Sequence, residues 1–274
     1  LSFLDLEQIY KRLNITVSDE QRVLGATEYL LEKIENERKH TCVPTEVVLQ
    51  QVAQLLAIGA NTIEKVLRDN TSLFFFGTRR GKPIISTLDA AEREHNLIEE
   101  LKRISENFEA SNNRKNFNAN DIDISNDIEL SEEQIAAVHT ALKMPISIIT
   151  GGPGAGKTTL VQRLVSIAKQ LKLIIRLCAP TGKAAKRLAE TPEIKVLKPS
   201  TIHLHLAYNA LKKDKFDFMI VDEASMIDVD LLLELLSIIP EGASIVLIGD
   251  KDQLPPVASG QPFKDLIESE KIEV

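Results

Sequence analysis

The sequence has only two cysteines, Cys42 and Cys178, and neither belongs to a CxxC pair. This spacing excludes a disulfide framework and argues against a zinc site. No apolar run approaches the roughly 18 to 20 residues of a membrane span, and the N-terminus lacks a signal-peptide pattern. A net positive charge is also lacking, since the net charge is −7, which argues against a protein that coats nucleic acid through bulk charge. We therefore expect a soluble, cytoplasmic protein in which any nucleic-acid contact is local.

The length and one polar segment predict two domains. The chain has 274 residues, of which 43% are hydrophobic and 27% charged, as in ordinary globular proteins. Residues 107–128 are rich in Asn, Asp and Ser and lose helical periodicity, which favours a solvated connector. We predict an N-terminal domain over 1–106, a linker over 107–128 and a second domain over 129–274.

The N-terminal domain is predicted to be mainly helical, with a β-hairpin near 72–87. Ser18 and Gln21 form a capping-box pattern, and Pro44 and Gly59 lie near the ends of a second helical stretch. Two apolar, β-prone runs then flank a polar turn. Helix, helix, hairpin is the order of a winged-helix module. Its tip residues either hold phosphate or are charged for solubility alone; they are Arg79, Arg80 and Lys82.

The second domain alternates apolar strands with helices. The runs "ISIIT", "LIIRLCA", "FMIVDEA" and "SIVLIGD" are rich in Ile, Val and Leu, as in parallel strands that are buried on both faces. They predict a doubly wound parallel α/β sheet, in which ligands bind at the carboxyl ends of the strands.

The stretch "GGPGAGKTT", residues 151–159, predicts a phosphate-binding loop. It fits the pattern G-x-x-x-x-G-K-[ST] and lies between a predicted strand and a predicted helix. Its glycines let backbone N–H groups surround a polyphosphate, Lys157 reaches the β and γ phosphates, and Thr158 ligates Mg²⁺. ATP and Mg²⁺ are the predicted ligands. The residues assigned to nucleotide binding in this loop are Gly152, Gly154, Ala155, Gly156, Lys157, Thr158 and Thr159.

Two acids end the strand in "FMIVDEAS". Asp222 is placed to hold Mg²⁺, and Glu223 to polarise the attacking water, as ATP hydrolysis requires. A solvated acid at a strand end is the alternative for Glu223. A second strand exit, "IGDKDQLPPV", places Asp250 and Gln253 beside the same cleft, and Pro255 and Pro256 stiffen the rest of that loop.

Two further strand ends lead into helices with small hydroxyls and basic groups. Thr181 and Lys183 come after one strand, and Ser200, Thr201 and His203 precede another helical run. Such groups suit contacts to a phosphate backbone, but helix capping by Thr181 or Ser200 explains each equally well. His203 and His205 have poor spacing for a metal on a helix.

Taken together, the order GGPGAGKTT, APTGKAAKRL, STIH, VDEAS, GDKDQLPPV resembles the RecD-like helicases of superfamily 1, both the exodeoxyribonuclease V alpha subunit and the RecD2 type. "LSEEQIAAV" resembles the family's Q-motif, which places Gln134 against adenine. The resemblance implies a RecA-like ATPase lobe, 5′ to 3′ movement on single-stranded DNA in recombination and repair, and partner subunits of a recombination nuclease. The roles it implies are ATP and Mg²⁺ for Lys157, Thr158, Asp222 and Glu223, a γ-phosphate sensor for Gln253, and single-stranded DNA for Pro180, Thr181, Thr201 and His203. Lys183, beside Thr181, is a further predicted DNA contact.

Two residues depart from the pattern of these helicases, and the ends of the sequence lead to a further expectation. Ala155 and Leu204 replace residues that relatives commonly have as Thr and Arg, and the second change removes one phosphate contact. The start at Leu1 and the end at Val274 lead us to expect a fragment with weak turnover, without the lobe that supplies arginine fingers. The alternatives are an ATP-binding regulatory or assembly subunit without translocation, and the helicase part of a conjugative relaxase.

Overall fold

The computed structural model describes residues 2–110 and 130–274. The chain forms two compact units, one of Leu1–His95 with Ala258–Gly260 and one of Asn96–Val257 with Gln261–Val274. Within the predicted linker, residues 107–110 are the end of a helix, and residues 111–128 lie outside the described part. The domain boundaries drawn from the sequence therefore stay a prediction.

The first unit combines helices with one small antiparallel sheet. Its elements are α1 (Phe3–Leu13), α2 (Asp19–Arg38), β1 (Val43–Pro44), α3 (Thr45–Leu56), α4 (Ala60–Asp69), β2 (Phe74–Arg79), β3 (Lys82–Thr87) and the first part of α5 (Leu88–Ala110). The strands lie in the order β1-β3-β2. The predicted mainly helical region with a hairpin is confirmed.

Local sequence signals explain how the helices of this unit begin. Ser18 accepts a hydrogen bond from the Gln21 backbone N–H and is capped in return, so the predicted capping box is present. Ser2 and Asp5 form a second box at the start of α1, a helix that the sequence patterns did not predict. Apolar side chains of α2, α3 and α4 then pack with Phe74 and Ile85 of the hairpin in one core.

The second unit is an α/β layer structure. After the remainder of α5 its elements are α6 (Glu132–Lys143), β4 (Ile146–Thr150), α7 (Lys157–Gln170), β5 (Ile175–Ala179), α8 (Gly182–Leu188), α9 (Pro192–Lys195), β6 (Ser200–Thr201), α10 (Ile202–Lys212), β7 (Phe218–Val221), α11 (Val229–Ser237), β8 (Ser244–Gly249) and α12 (Pro262–Ser269). A 3₁₀ turn, Ala224–Met226, joins β7 to the segment before α11.

The five strands are parallel and lie in the order β4-β8-β7-β5-β6. Successive residues of a strand pack in the hydrophobic cores on opposite faces of the sheet. In β4, Ile148 belongs to one core cluster and Ile149 to the other. This burial on both faces explains the continuous apolar runs and confirms the predicted doubly wound sheet. The two-residue strand β6 was not predicted, because its sequence is too short to carry a pattern.

The last part of α5 packs on the second unit's sheet. Leu97 and Ile104 join the core cluster that contains α11. Arg103 donates to the backbone carbonyls of Leu236 and Ile239, at 2.8 and 3.2 Å. These carbonyls lie at the end of α11, where helices leave acceptors unsatisfied. Among the described helices, none is both long and apolar enough to cross a membrane.

Candidate nucleotide and nucleic-acid site

Three segments with predicted roles in ATP binding follow three adjacent strands of the sheet. They are the phosphate loop (151–156) after β4, the acid pair Asp222 and Glu223 after β7, and the sensor loop (250–257) after β8. Strand β8 lies between β4 and β7, with Thr150 paired to Gly249 and Val221 paired to Leu247. Because parallel strands end at the same edge, the loops after β4, β7 and β8 are neighbours. The predicted phosphate loop, acid pair and sensor loop are thus brought to one edge.

The phosphate loop depends on its glycines. Gly154 and Gly156 have φ values of 79° and 80°, in the left-handed region that glycine adopts without strain. Gly156 is the N-cap of α7 and offers no side-chain cap, so the first backbone N–H groups of the helix are available to an anion. The Lys157 ammonium donates to the carbonyls of Gly151 and Gly152, the second at 3.2 Å. Lys157 therefore lies against the loop it is predicted to serve.

Gln134 connects the first helix of the lobe to this loop. Its side-chain nitrogen donates to the Ala155 carbonyl at 3.2 Å, and its oxygen accepts from the Ser131 backbone N–H at 3.0 Å. A Cβ at Gly156 would lie 2.7 Å from the same nitrogen, so a side chain there would displace the Gln134 amide from the loop. These contacts place Gln134 on the loop backbone; the predicted adenine contact stays a prediction.

The acid pair comes directly after β7. Burial raises the pKa of the Asp222 carboxyl above its usual value, and the charge of Glu223 acts in the same direction, against a hydrogen bond from the Glu223 backbone. Glu223 has a φ of 55°, which is uncommon for a residue with a side chain. Its carboxylate lies 3.7 Å from the Arg187 guanidinium of α8.

The donor set at this edge fits a magnesium ion. Mg²⁺ prefers oxygen ligands, and Thr158 in the first turn of α7 and Asp222 after β7 offer a hydroxyl and a carboxylate. A carboxylate whose charge is disfavoured by burial gains stability from a bound cation. Thr158 and Asp222 therefore have the chemistry to hold Mg²⁺, and that role stays a prediction.

The sensor loop is built on a buried acid. Asp250 is only 3% exposed, and its carboxylate accepts from the Asp252 backbone N–H at 3.0 Å. The Gln253 N–H donates to the Asp250 carbonyl at 3.2 Å and closes the turn, which leaves the Gln253 side chain exposed. Pro256 is buried and Pro255 is exposed. Asp250 thus has a structural role in the turn, and the exposed Gln253 side chain stays the predicted γ-phosphate sensor.

The predicted DNA contacts lie at the ends of two paired strands. Ala179 pairs with Thr201, so Pro180 and the start of α8 neighbour the start of α10. Thr181 and Thr201 cap these helices by accepting from the N–H groups of Ala184 and Leu204, both at 3.2 Å. The alternative of capping is therefore confirmed for Thr181, whereas Thr201 takes the place suggested for Ser200.

Near the starts of α8 and α10, some polar side chains are exposed and others are buried. Lys183 and His203 are exposed at the two helix starts. His205 is buried against Phe216, and burial lowers its pKa. Cys178 is buried, and burial raises its pKa to about 12. Among residues 2–110 and 130–274, no group of His, Cys, Asp and Glu has the arrangement of a metal site of its own.

Two residues of the site were missed from sequence. A Cβ on Gly249 would lie 2.9 Å from the Ser225 backbone nitrogen, so the β8 exit passes the acid turn closely. Arg187 approaches Glu223 from a different strand connection. Only the basic pair Lys186–Arg187, on a helix after a strand end, was a signal for the second residue.

Comparison with known proteins agrees with this arrangement. The model of the AAA domain family matches residues 129–274. The ATP-dependent RecD2 DNA helicase of Deinococcus radiodurans is 42% identical over 147 residues, which cover 51% of this chain and 20% of that protein. The RecBCD enzyme subunit RecD of Haemophilus influenzae is 37% identical over 168 residues, 50% of this chain and 26% of that protein.

A more distant structural likeness was also found. The crystal structure of the Pif1 helicase from Candida albicans is 25% identical, with a TM-score of 0.37, over 48% of this chain and 35% of that chain. The chain thus spans about a fifth to a quarter of the length of the two curated relatives above. The sequence resemblance to RecD-like superfamily 1 helicases is confirmed by these relatives, and this chain belongs to the AAA domain family.

Proposed function

We propose that this chain is the ATP-hydrolysing first lobe of a cytoplasmic DNA helicase that moves 5′ to 3′ on single-stranded DNA in recombination or repair. The observation that carries the proposal is the convergence of the phosphate loop, the acid pair and the sensor loop on strands β4, β7 and β8. The similarity to RecD2 and RecD supports the helicase class.

The side chains at this edge divide the chemistry of hydrolysis. Lys157, now on the loop carbonyls, would exchange them for the β and γ phosphates of ATP. Glu223 would accept a proton from the attacking water, and Gln253 would contact the γ-phosphate from the neighbouring loop. Mg²⁺ held by Thr158 and Asp222 would neutralise charge on the phosphates.

A hydrogen bond connects the end of β7, which is followed by the acid pair, to β5, which leads to the predicted DNA contacts. The Asp222 backbone N–H donates to the Cys178 carbonyl of β5 at 3.0 Å, just before Pro180 and Thr181. A change at the nucleotide therefore has a short covalent and hydrogen-bonded route to the start of α8. We propose that Thr181, Lys183, Thr201 and His203 contact the phosphates of single-stranded DNA there.

The name of one relative suggests that the protein acts together with partner subunits. One of them is named as a subunit of the RecBCD enzyme, so partner subunits of a recombination nuclease are part of the proposal. The competing function is a regulatory subunit that binds ATP without hydrolysing it. Glu223 favours the motor, because a switch that only binds ATP has little need of a carboxylate beside the phosphates.

ATP hydrolysis with and without single-stranded DNA tests the proposal. It is measured on this chain and on the full protein that its gene encodes, since the chain spans only about a fifth to a quarter of the length of its curated relatives. Lys157→Ala removes the phosphate contact and should abolish DNA-stimulated turnover. Lys264→Ala removes an equal charge from the exposed side of α12 and should leave turnover unchanged.

Glu223→Gln separates the two candidate functions. It should retain binding of a fluorescent ATP analogue and lose hydrolysis. If the unmodified full protein binds the analogue but hydrolyses no ATP, it behaves like this variant and the regulatory function is correct. Forked duplexes with a 5′ or a 3′ single-stranded arm then test the proposed direction.

A further inference from the structure

We propose that the first unit is a winged-helix module that binds the backbone and groove of duplex DNA through α4 and the β2–β3 hairpin. This inference concerns a surface outside the ATP-binding lobe and is independent of ATP hydrolysis. It rests on the order of elements, the exposed side chains of α4 and the distribution of charge in the unit.

The helices α3 and α4 form a helix-turn-helix. Helix α3 ends at Leu56, Ala57 takes a left-handed φ of 56°, and α4 begins at Ala60 after the N-cap Gly59. The antiparallel hairpin comes directly after α4, and β1 pairs with β3 to complete the sheet. In helix-turn-helix proteins the second helix enters the major groove while neighbouring elements contact the backbone. Helix α4 has that place in this unit.

Helix α4 separates an apolar face from a hydrogen-bonding face. Ile63 and Leu67 are fully or almost fully buried in the core with α2 and α3. The exposed side carries donors at helical spacing: Asn61, Thr62, Lys65 and Arg68. Arg68 pairs with Glu64 at 2.6 Å, an exposed contact within one turn that a phosphate can replace at small cost. The buried face fixes the helix and leaves these donors to a partner.

The hairpin tip supplies the positive charge that α4 alone lacks. Arg79 pairs with Lys82 across the strands, and Arg80 and Gly81 form the two-residue turn with φ values of 51° and 76°. Arg79, Arg80 and Lys82 are all exposed. Three exposed cations within four residues of one two-residue hairpin turn form a local positive surface that suits contacts to DNA phosphates.

Charge is segregated within the unit. Residues 39–87 contain six Lys and Arg side chains and three Asp and Glu side chains, whereas residues 1–38 contain five and eight. A duplex is a polyanion, so it selects the segment that includes α4 and the hairpin and is repelled by α1 and α2. A solubilising surface needs no such separation.

Binding of a blunt, internally labelled duplex to the whole chain, without nucleotide, tests the inference. The triple variant Arg79→Ala, Arg80→Ala, Lys82→Ala should weaken binding about tenfold or more near 0.1 M salt. It should also reduce the slope of log affinity against log salt by about 2 to 3, since each lost phosphate contact removes about one. Lys65→Ala with Arg68→Ala should weaken binding through α4.

The matched control removes the same charge from the acidic side of the unit. Arg12→Ala, Lys33→Ala, Arg38→Ala alters three exposed residues and should leave the salt slope unchanged. Circular dichroism checks that each variant is folded. The inference is overturned if the hairpin variant keeps the wild-type slope, if the control loses as much affinity, or if the unmodified chain binds no duplex, as a protein-docking module would. Because no ATP is present, failure here is distinct from failure of the proposed motor.

Discussion

The Arg187 guanidinium lies 3.7 Å from the Glu223 carboxylate, which joins helix α8 to the acid after β7. The Arg187 side chain is 66% exposed and that of Glu223 is 19% exposed, so the pair contributes at most about 1 kcal/mol. Arg187 also belongs to the helix that begins at the predicted DNA contacts. The ion pair occupies the Glu223 carboxylate, and a DNA phosphate would compete for the same guanidinium and release it.

We therefore expect Arg187→Ala to raise ATP hydrolysis in the absence of DNA by up to about fivefold, the rate equivalent of 1 kcal/mol. The ratio of DNA-stimulated to unstimulated rates should fall correspondingly. Lys186→Ala, an exposed neighbour on the same helix, serves as the charge-matched control. A lower rate without DNA would show that Arg187 supports Glu223 and does not restrain it.

Gly249→Ala should destabilise the second unit. The new Cβ would lie 2.9 Å from the Ser225 backbone nitrogen and from the Phe263 ring, and the backbone atom cannot move without shifting the acid turn. Overpacking of this kind costs about 1 to 3 kcal/mol in the free energy of unfolding, to be measured by urea denaturation. Gly182→Ala meets no atom within 4 Å and should change stability by less than about 0.5 kcal/mol. Equal stabilities for the two variants would contradict the close approach.

His205 should make stability depend on pH in mildly acidic solution. Burial lowers its pKa below 6.5 in the folded protein, so the unfolded chain binds the proton first. The contribution of neutral His205 to stability is therefore complete above about pH 6.5. It is lost as the pH falls through the lowered pKa of His205 in the folded protein. The ring nitrogen Nε2 is buried without a hydrogen bond in the described part of the chain.

Comparison with His205→Leu isolates this effect. The two proteins should differ little in free energy of unfolding at pH 8, since no hydrogen bond of Nε2 is lost. Below pH 6.5 the unmodified protein should lose stability relative to the variant, by up to about 1.4 kcal/mol per pH unit. Parallel pH profiles would mean that folding does not lower the pKa of His205.

The parts of the fold that sequence predicted are those with a local signature. Gly154 and Gly156 adopt left-handed backbone, and the strand runs are buried on both faces, so both patterns are visible in the chain itself. Strand β6 has only two residues, too few to carry a pattern, whereas α1 begins at a capping box, a local signal that was missed. The Arg187–Glu223 pair and the approach of Gly249 to Ser225 depend on which strands become neighbours. No spacing along the chain encodes that.

The position of β8 between β4 and β7 constrains how related chains can vary in length. Each residue of β8 from Ile245 to Gly249 is paired on one side with β4 and, from Ser244 to Leu247, on the other with β7. One inserted residue would move the strand exit by about 3.3 Å and turn the side chains that face one core toward the other. Insertions tolerated during evolution should therefore lie before Ser244 or beyond Gln253. The stretch between these residues should keep a fixed length, although one apolar residue can replace another within it.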